Sequence, residues 1–127
     1  MVSFSPAGRF GNWFFEAATC IAYALKHQME FSLPSTTSNE QFNPIYCLHL
    51  VNQNWNARLP QVKLWENGHA YQELPFEDSY REKNVIIEGY RQSWKYFDDY
   101  RDSILYLLDF KYEKKDNYVG VHVRRGD

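Results

Sequence analysis

Apolar residues along this chain recur in two rhythms, and the rhythms set out an alternation of strands and helices. Near the end, Val119, Val121 and Val123 alternate with Tyr118 leading in, the period-two pattern of a buried strand, and Gly126 follows as a turn residue. Val85-Ile86-Ile87-Glu88 is the clearest interior strand, with Gly89 able to turn the chain sharply at its carboxyl end. Met1–Phe4 is a short first strand broken by Ser5-Pro6-Ala7-Gly8, and Met29–Leu33 alternates as another strand until Pro34. Phe14, Ala17, Ala18, Ile21, Ala22 and Leu25 recur at helical spacing, which predicts a helix from near Asn12 to His27-Gln28. A second helix is predicted from Ser93 or Asp98 to about Phe110, burying Phe97, Tyr100, Ile104 and Leu108. Asn67-Gly68 is a strong two-residue hairpin signal, so Val62–Glu66 and His69–Leu74 are expected to pair antiparallel. The polar stretch from Ser35 to Asn43 reads as a loop, Ile45–Leu50 as a short packing segment, and Pro75–Lys83 as a charged turn region. Strand, glycine turn and helix in succession define an α/β class.

Composition narrows this further. The 127 residues suit one domain with a real core, and a formal charge of −2 offers no basic field for nucleic acid or an anionic membrane. Aromatic residues make up 18% of the chain, more often packing than platform. Cys20 and Cys47 stand apart, in no CxxC pair, which fits free thiols in a reducing compartment rather than a disulfide or zinc framework. His27, His49 and His69 lie too far apart in sequence for a ligand pattern, so no metal site is expected. No apolar run approaches a membrane span, and Met1–Phe4 does not follow the basic-then-apolar plan of a signal peptide. A soluble cytoplasmic protein is the expectation, with peripheral membrane association left open.

Two stretches carry candidate chemistry. Gly8 and Gly11 bracket Arg9-Phe10 between a strand and a helix start, a layout in which free backbone N–H groups can face an anion or a sugar hydroxyl. On the residues alone, Arg9 reads equally as a surface charge, Asn12 as a helix N-cap and Glu16 as part of a solvated helix face. Tyr90, Arg91 and Gln92 follow the Val85–Gly89 strand and sit where an α/β sheet displays its working residues. At the other end, Arg124 and Arg125 follow a strand, and two rigid guanidinium forks suit a diphosphate. A basic turn ending an ordinary strand, or an Arg125-Gly126-Asp127 adhesion tripeptide, would carry the same residues.

A resemblance decides among these. His122-Val123-Arg124-Arg125-Gly126-Asp127 resembles the HxRRxD-type motif of the α-1,2- and α-1,6-fucosyltransferases, and its Gly-Asp ending is most similar to the α-1,2 group, glycosyltransferase family 11. Gly8-Arg9-Phe10-Gly11-Asn12 and Gly89-Tyr90-Arg91-Gln92-Ser93-Trp94-Lys95-Tyr96-Phe97 resemble two further stretches of that family, in the same order; about Phe31 to Asn84 has no match. The resemblance implies a GT-B-type glycosyltransferase with two Rossmann-like domains facing across a cleft. It implies residues 1–116 as the acceptor-side domain, with Lys111–Asn117 as connector, and 117–127 as the first strand and loop of a donor domain. A fragment, inactive alone, is therefore expected. The implied reaction is inverting fucosyl transfer from GDP-fucose to the 2-hydroxyl of galactose in a glycan. In it His122, Arg124, Arg125 and Asp127 bind the donor, Arg124 stabilises the leaving diphosphate, and Gly8, Arg9, Gly11 and Asn12 line the acceptor side. With no D-x-D carboxylate pair and two arginines at hand, no metal cofactor is expected. The alternative is a phosphate- or nucleotide-binding α/β module without turnover.

Overall fold

The computed structural model describes residues 1–8, 10–34, 55–108 and 121. Their order is β1 (Val2–Phe4), α1 (Phe10–Lys26), β2 (Gln61–Leu64), β3 (Asn84–Ile87) and α2 (Arg101–Leu107), with 3₁₀ turns at Asp78–Glu82, Trp94–Tyr96 and Asp98–Tyr100. The strands form one parallel sheet in the order β1-β3-β2, with Val85 level with both Val2 and Val62. β3 is central, and all four of its residues are buried, which is why it reads as an unbroken apolar run rather than an alternating one. The mixed α/β class expected from the sequence is the class observed.

α1 packs on the sheet. Trp13, Ala17, Ile21 and Ala24 are buried with Val2, Phe4, Val85 and Ile87 in one core, and the Phe4 ring meets Trp13 edge-on at 5.7 Å. The helix ends where Gln28 takes a left-handed conformation (φ 52°), with Met29 N–H donating to Ala24 C=O at 2.9 Å and Gln28 N–H to Leu25 C=O at 3.3 Å. Those are the two bonds of a Schellman closure, made here without the usual glycine.

Three expectations are corrected. The segment at Met29–Leu33 makes a single parallel bridge between Phe31 and Val2 rather than a strand, although Val2 N–H donates to Glu30 C=O and Ser32 N–H to Val2 C=O, each at 2.8 Å. The hairpin at Asn67-Gly68 is absent: β2 pairs parallel with β3. Gly68 does turn the chain (φ 83°), but the Gln72 side chain closes that loop onto the Asn67 backbone in place of a ladder. Pairing with the buried central strand covers Val62 and Leu64 better than a solvated hairpin would. The helix expected from 93 to 110 divides into two 3₁₀ turns and the short α2, because Phe97 (φ −139°, ψ 3°) leaves helical geometry. Its stripe still packs inward through Ile104 and Leu108, with Phe97 and Tyr100 against them.

The expected segment at Ile45–Leu50, the connector at Lys111–Asn117 and nearly all of the strand at Tyr118–Val123 lie outside the described residues. Val121 alone of that strand is described, and it is 81% exposed. No described helix is long and apolar enough to cross a membrane.

Candidate functional site

The carboxyl ends of three parallel strands open onto the same rim: Ser5–Gly8 after β1, Trp65-Glu66 after β2 and Glu88–Gln92 after β3. The turn after β1 depends on Gly8, whose φ of 71° favours glycine and whose missing side chain leaves room for the Asn12 carboxamide. α1 starts at Phe10, so Asn12 is its third residue and not the N-cap that the sequence allowed. Its side chain instead reaches across the rim, where Asn12 Oδ1 accepts a hydrogen bond from Gln92 Nε2 at 2.6 Å. That bond joins residues 80 apart in sequence. Gly11 has open space where a Cβ would lie, so its backbone makes no demand for glycine.

Behind the rim sits a layer of carboxylates that sequence reasoning largely missed. Glu16, read from the sequence as a solvated helix position, is fully buried, and both its oxygens accept from the Ala7 N–H, at 3.1 and 3.2 Å. Burial, opposed by the Ala7 bond and assisted by the nearby charges of Glu66 and Glu88, raises its pKa from 4.5 to about 8. Glu66 repeats the device on the other turn, accepting from Arg91 N–H at 3.1 and 3.2 Å and packing where Gly89 (φ 97°) has no side chain. Glu88 accepts from Ser5 Oγ at 2.9 Å and pairs with Lys63 Nζ at 3.1 Å. Two glutamates thus each hold one turn by its backbone, and a third ties β1 to β2.

Arg91 is the largest departure at the rim. Instead of facing a ligand it is completely buried, donating from Nε to Glu88 C=O (3.1 Å), from Nη2 to Leu64 C=O (2.7 Å) and from Nη1 to the Tyr96 hydroxyl (3.3 Å). Its guanidinium donates to carbonyls at the ends of β2 and β3, joining the Glu88 N–H that also reaches Leu64 C=O at 2.9 Å, and its backbone adopts a left-handed conformation (φ 51°) to do so. The outward residues are its neighbours Tyr90, 37% exposed, and Gln92.

Of the residues singled out from sequence, the structure brings Gly8 and Asn12 together with Tyr90 and Gln92. Arg9, His122, Arg124, Arg125 and Asp127 lie outside the described residues. Among those described, no cluster of three or more His, Cys, Asp or Glu side chains is arranged to hold a metal ion. The missed acids had one legible trace, since no charged residue occurs between Glu16 and Lys26. A charge at the start of such a stretch is placed to be buried with it.

A parallel sheet whose strand ends carry a glycine bend, an amide pair and a half-exposed aromatic ring is an α/β architecture with a ligand-ready rim. Galactoside alpha-(1,2)-fucosyltransferase 2 of Hylobates lar is 29% identical over a 149-residue alignment that takes in all of this chain and 41% of the relative. The similarity supports a relationship to the fucosyltransferases at most. The chain spans 41% of that relative's length. No protein-family model matches the chain, and no solved structure does.

Proposed function

We propose that this chain is the acceptor-side, Rossmann-like part of a GT-B-type enzyme that transfers fucose from GDP-fucose to the 2-hydroxyl of a galactose. The observation that carries the reading is the Asn12–Gln92 bond. It unites, at the carboxyl end of a parallel sheet, two of the stretches that resemble fucosyltransferases, and the curated relative supports the same class.

In this reading the bond from fucose C1 to the diphosphate breaks with its electron pair leaving on GDP. Galactose O2 bonds to C1 from the opposite face, and its proton passes to solvent water. Arg124 takes the charge growing on the diphosphate, with His122, Arg125 and Asp127 holding the nucleotide, so that cationic donors serve where other enzymes use a metal. Gly8, Arg9, Gly11 and Asn12 form the acceptor side. Asn12 orients the hydroxyl and does not deprotonate it, because an amide has no proton-accepting pKa in range. Residues 1–116 form the acceptor-side domain, and 117–127 open the donor domain of a cytoplasmic enzyme. The test is transfer of labelled fucose from GDP-fucose to lactose, by this chain and by whichever longer polypeptide carries it. Binding of GDP without fucosylated product from either would favour a nucleotide-binding module instead.

A further inference from the structure

Tyr90 is held in place by the residues on both sides of it. Gly89 before it turns with φ 97° against Glu66, and Arg91 after it is locked by three side-chain hydrogen bonds. A Cβ on Gly8 would come within 3.0 Å of Tyr90 Cε1, so the ring lies over the bend only because residue 8 has no side chain. Beside it stands the Asn12–Gln92 pair, in which Gln92 spends one Nε2 hydrogen on Asn12. Gln92 Oε1 and its second Nε2 hydrogen take no hydrogen bond among the described residues.

An aromatic face with a free amide acceptor and donor at its edge suits a pyranose, whose C–H face packs on the ring and whose hydroxyls both give and take hydrogen bonds. The charges beneath give an anion no advantage in the same place. Glu66 lies directly under the turn on both sides of Tyr90, and Glu88 adds a second carboxylate, compensated by Lys63. With the buried Arg91 guanidinium also beneath the turn, these described charges balance, so they offer a diphosphate no net attraction and cost a neutral sugar nothing.

We propose that Tyr90, lying over Gly8 and flanked by Gln92, is the seat of the acceptor sugar, a neutral pyranoside stacked on the exposed part of the tyrosine ring. The inference rests on the glycosyl-transfer reading, and names the residues that grip the sugar receiving the fucose. Gln92 orients the pyranoside through its hydroxyls, and Tyr90 supplies the contact area.

The experiment titrates the 127-residue chain with lactose, without donor, following backbone amide signals by NMR. Expected are millimolar binding with shifts centred on Gly8, Asn12, Tyr90 and Gln92. Tyr90→Leu, which keeps apolar bulk without an aromatic face, should weaken binding about tenfold, whereas Tyr90→Phe should stay within about threefold of wild type. Gln92→Ala should weaken it by about threefold or more. No saturable shifts up to roughly 50 mM lactose, shifts centred elsewhere, or a folded Tyr90→Leu that binds like wild type would each overturn the proposal. Lactose seated at Tyr90 with no fucose transfer sinks the enzymatic reading and leaves the sugar seat. Transfer with an unchanged acceptor KM in Tyr90→Leu does the reverse.

Discussion

Replacing Glu16 by glutamine should flatten the pH dependence of this protein's stability. The carboxyl is fully buried, titrates at about 8 in the fold, and has an ordinary value of 4.5. Between those values the native state holds a proton that the unfolded chain releases, so the Glu16 contribution to stability is greatest below about pH 4.5 and is lost as pH rises towards 8. At about 1.4 kcal/mol per tenfold change in proton affinity, the loss between pH 5 and pH 8 is on the order of 4 kcal/mol, a large share of a small domain's stability. Burial is the main cause, with Glu66 and Glu88 adding to it; Lys63 and Arg91 are occupied with Glu88 and with backbone carbonyls. Glutamine keeps an oxygen for the Ala7 N–H and cannot ionise. Urea unfolding followed by tryptophan fluorescence at pH 5, 6, 7 and 8 measures the effect. The variant should match wild type within about 1 kcal/mol at pH 5 and exceed it by roughly 3–4 kcal/mol at pH 8. Parallel profiles for the two proteins would refute the reasoning, since titrations elsewhere cancel in the difference.

Other expectations follow from the same geometry. Gly8→Ala should destabilise by about 1–3 kcal/mol, through the φ of 71° and the Asn12 carboxamide, whereas Gly11→Ala should be neutral or stabilising by up to about 1 kcal/mol; thermal melts of the pair decide. Arg91→Met should cost about 3 kcal/mol or more in urea unfolding, because two strand-end carbonyls lose a charged donor inside the protein. Cys20 is wholly buried and its thiol pKa is pushed upward by that burial. In a Cys47→Ser background, a thiol reagent at pH 8 should label Cys20 only at the rate of unfolding, and prompt labelling of the folded protein would contradict its placement.

How far the sequence reached can be traced residue by residue. β3 and α1 were legible because each is a sustained apolar run, buried in the centre of the fold. The Gly8 bend and the Tyr90 segment were each legible as strand-end stretches, but their meeting through Asn12 and Gln92 is a tertiary contact that only the structure shows. Glu16 was not legible: a stripe of Phe14, Ala17, Ile21 and Leu25 assigns it to the solvent side, but every residue from Ala17 to Ala24 is buried, so the helix has no wide polar face there. Arg91 misled for a related reason, since its type suggested ligand binding while its task is to satisfy carbonyls across two strands. The Asn67-Gly68 signal reported a real turn, and partner choice by β2 was a tertiary matter that no local pattern contains.

The most direct measurement is fucose transfer from GDP-fucose to lactose in the presence of EDTA, with the linkage of the product read by NMR, for this chain and the longest polypeptide that carries it. The expected product has fucose on the 2-hydroxyl of galactose with inverted anomeric configuration, formed at the same rate with and without chelator, and Arg124→Ala should lower that rate by on the order of 10²–10³. No fucosylated lactose from either polypeptide, transfer wholly dependent on added metal, or full activity in Arg124→Ala would contradict it.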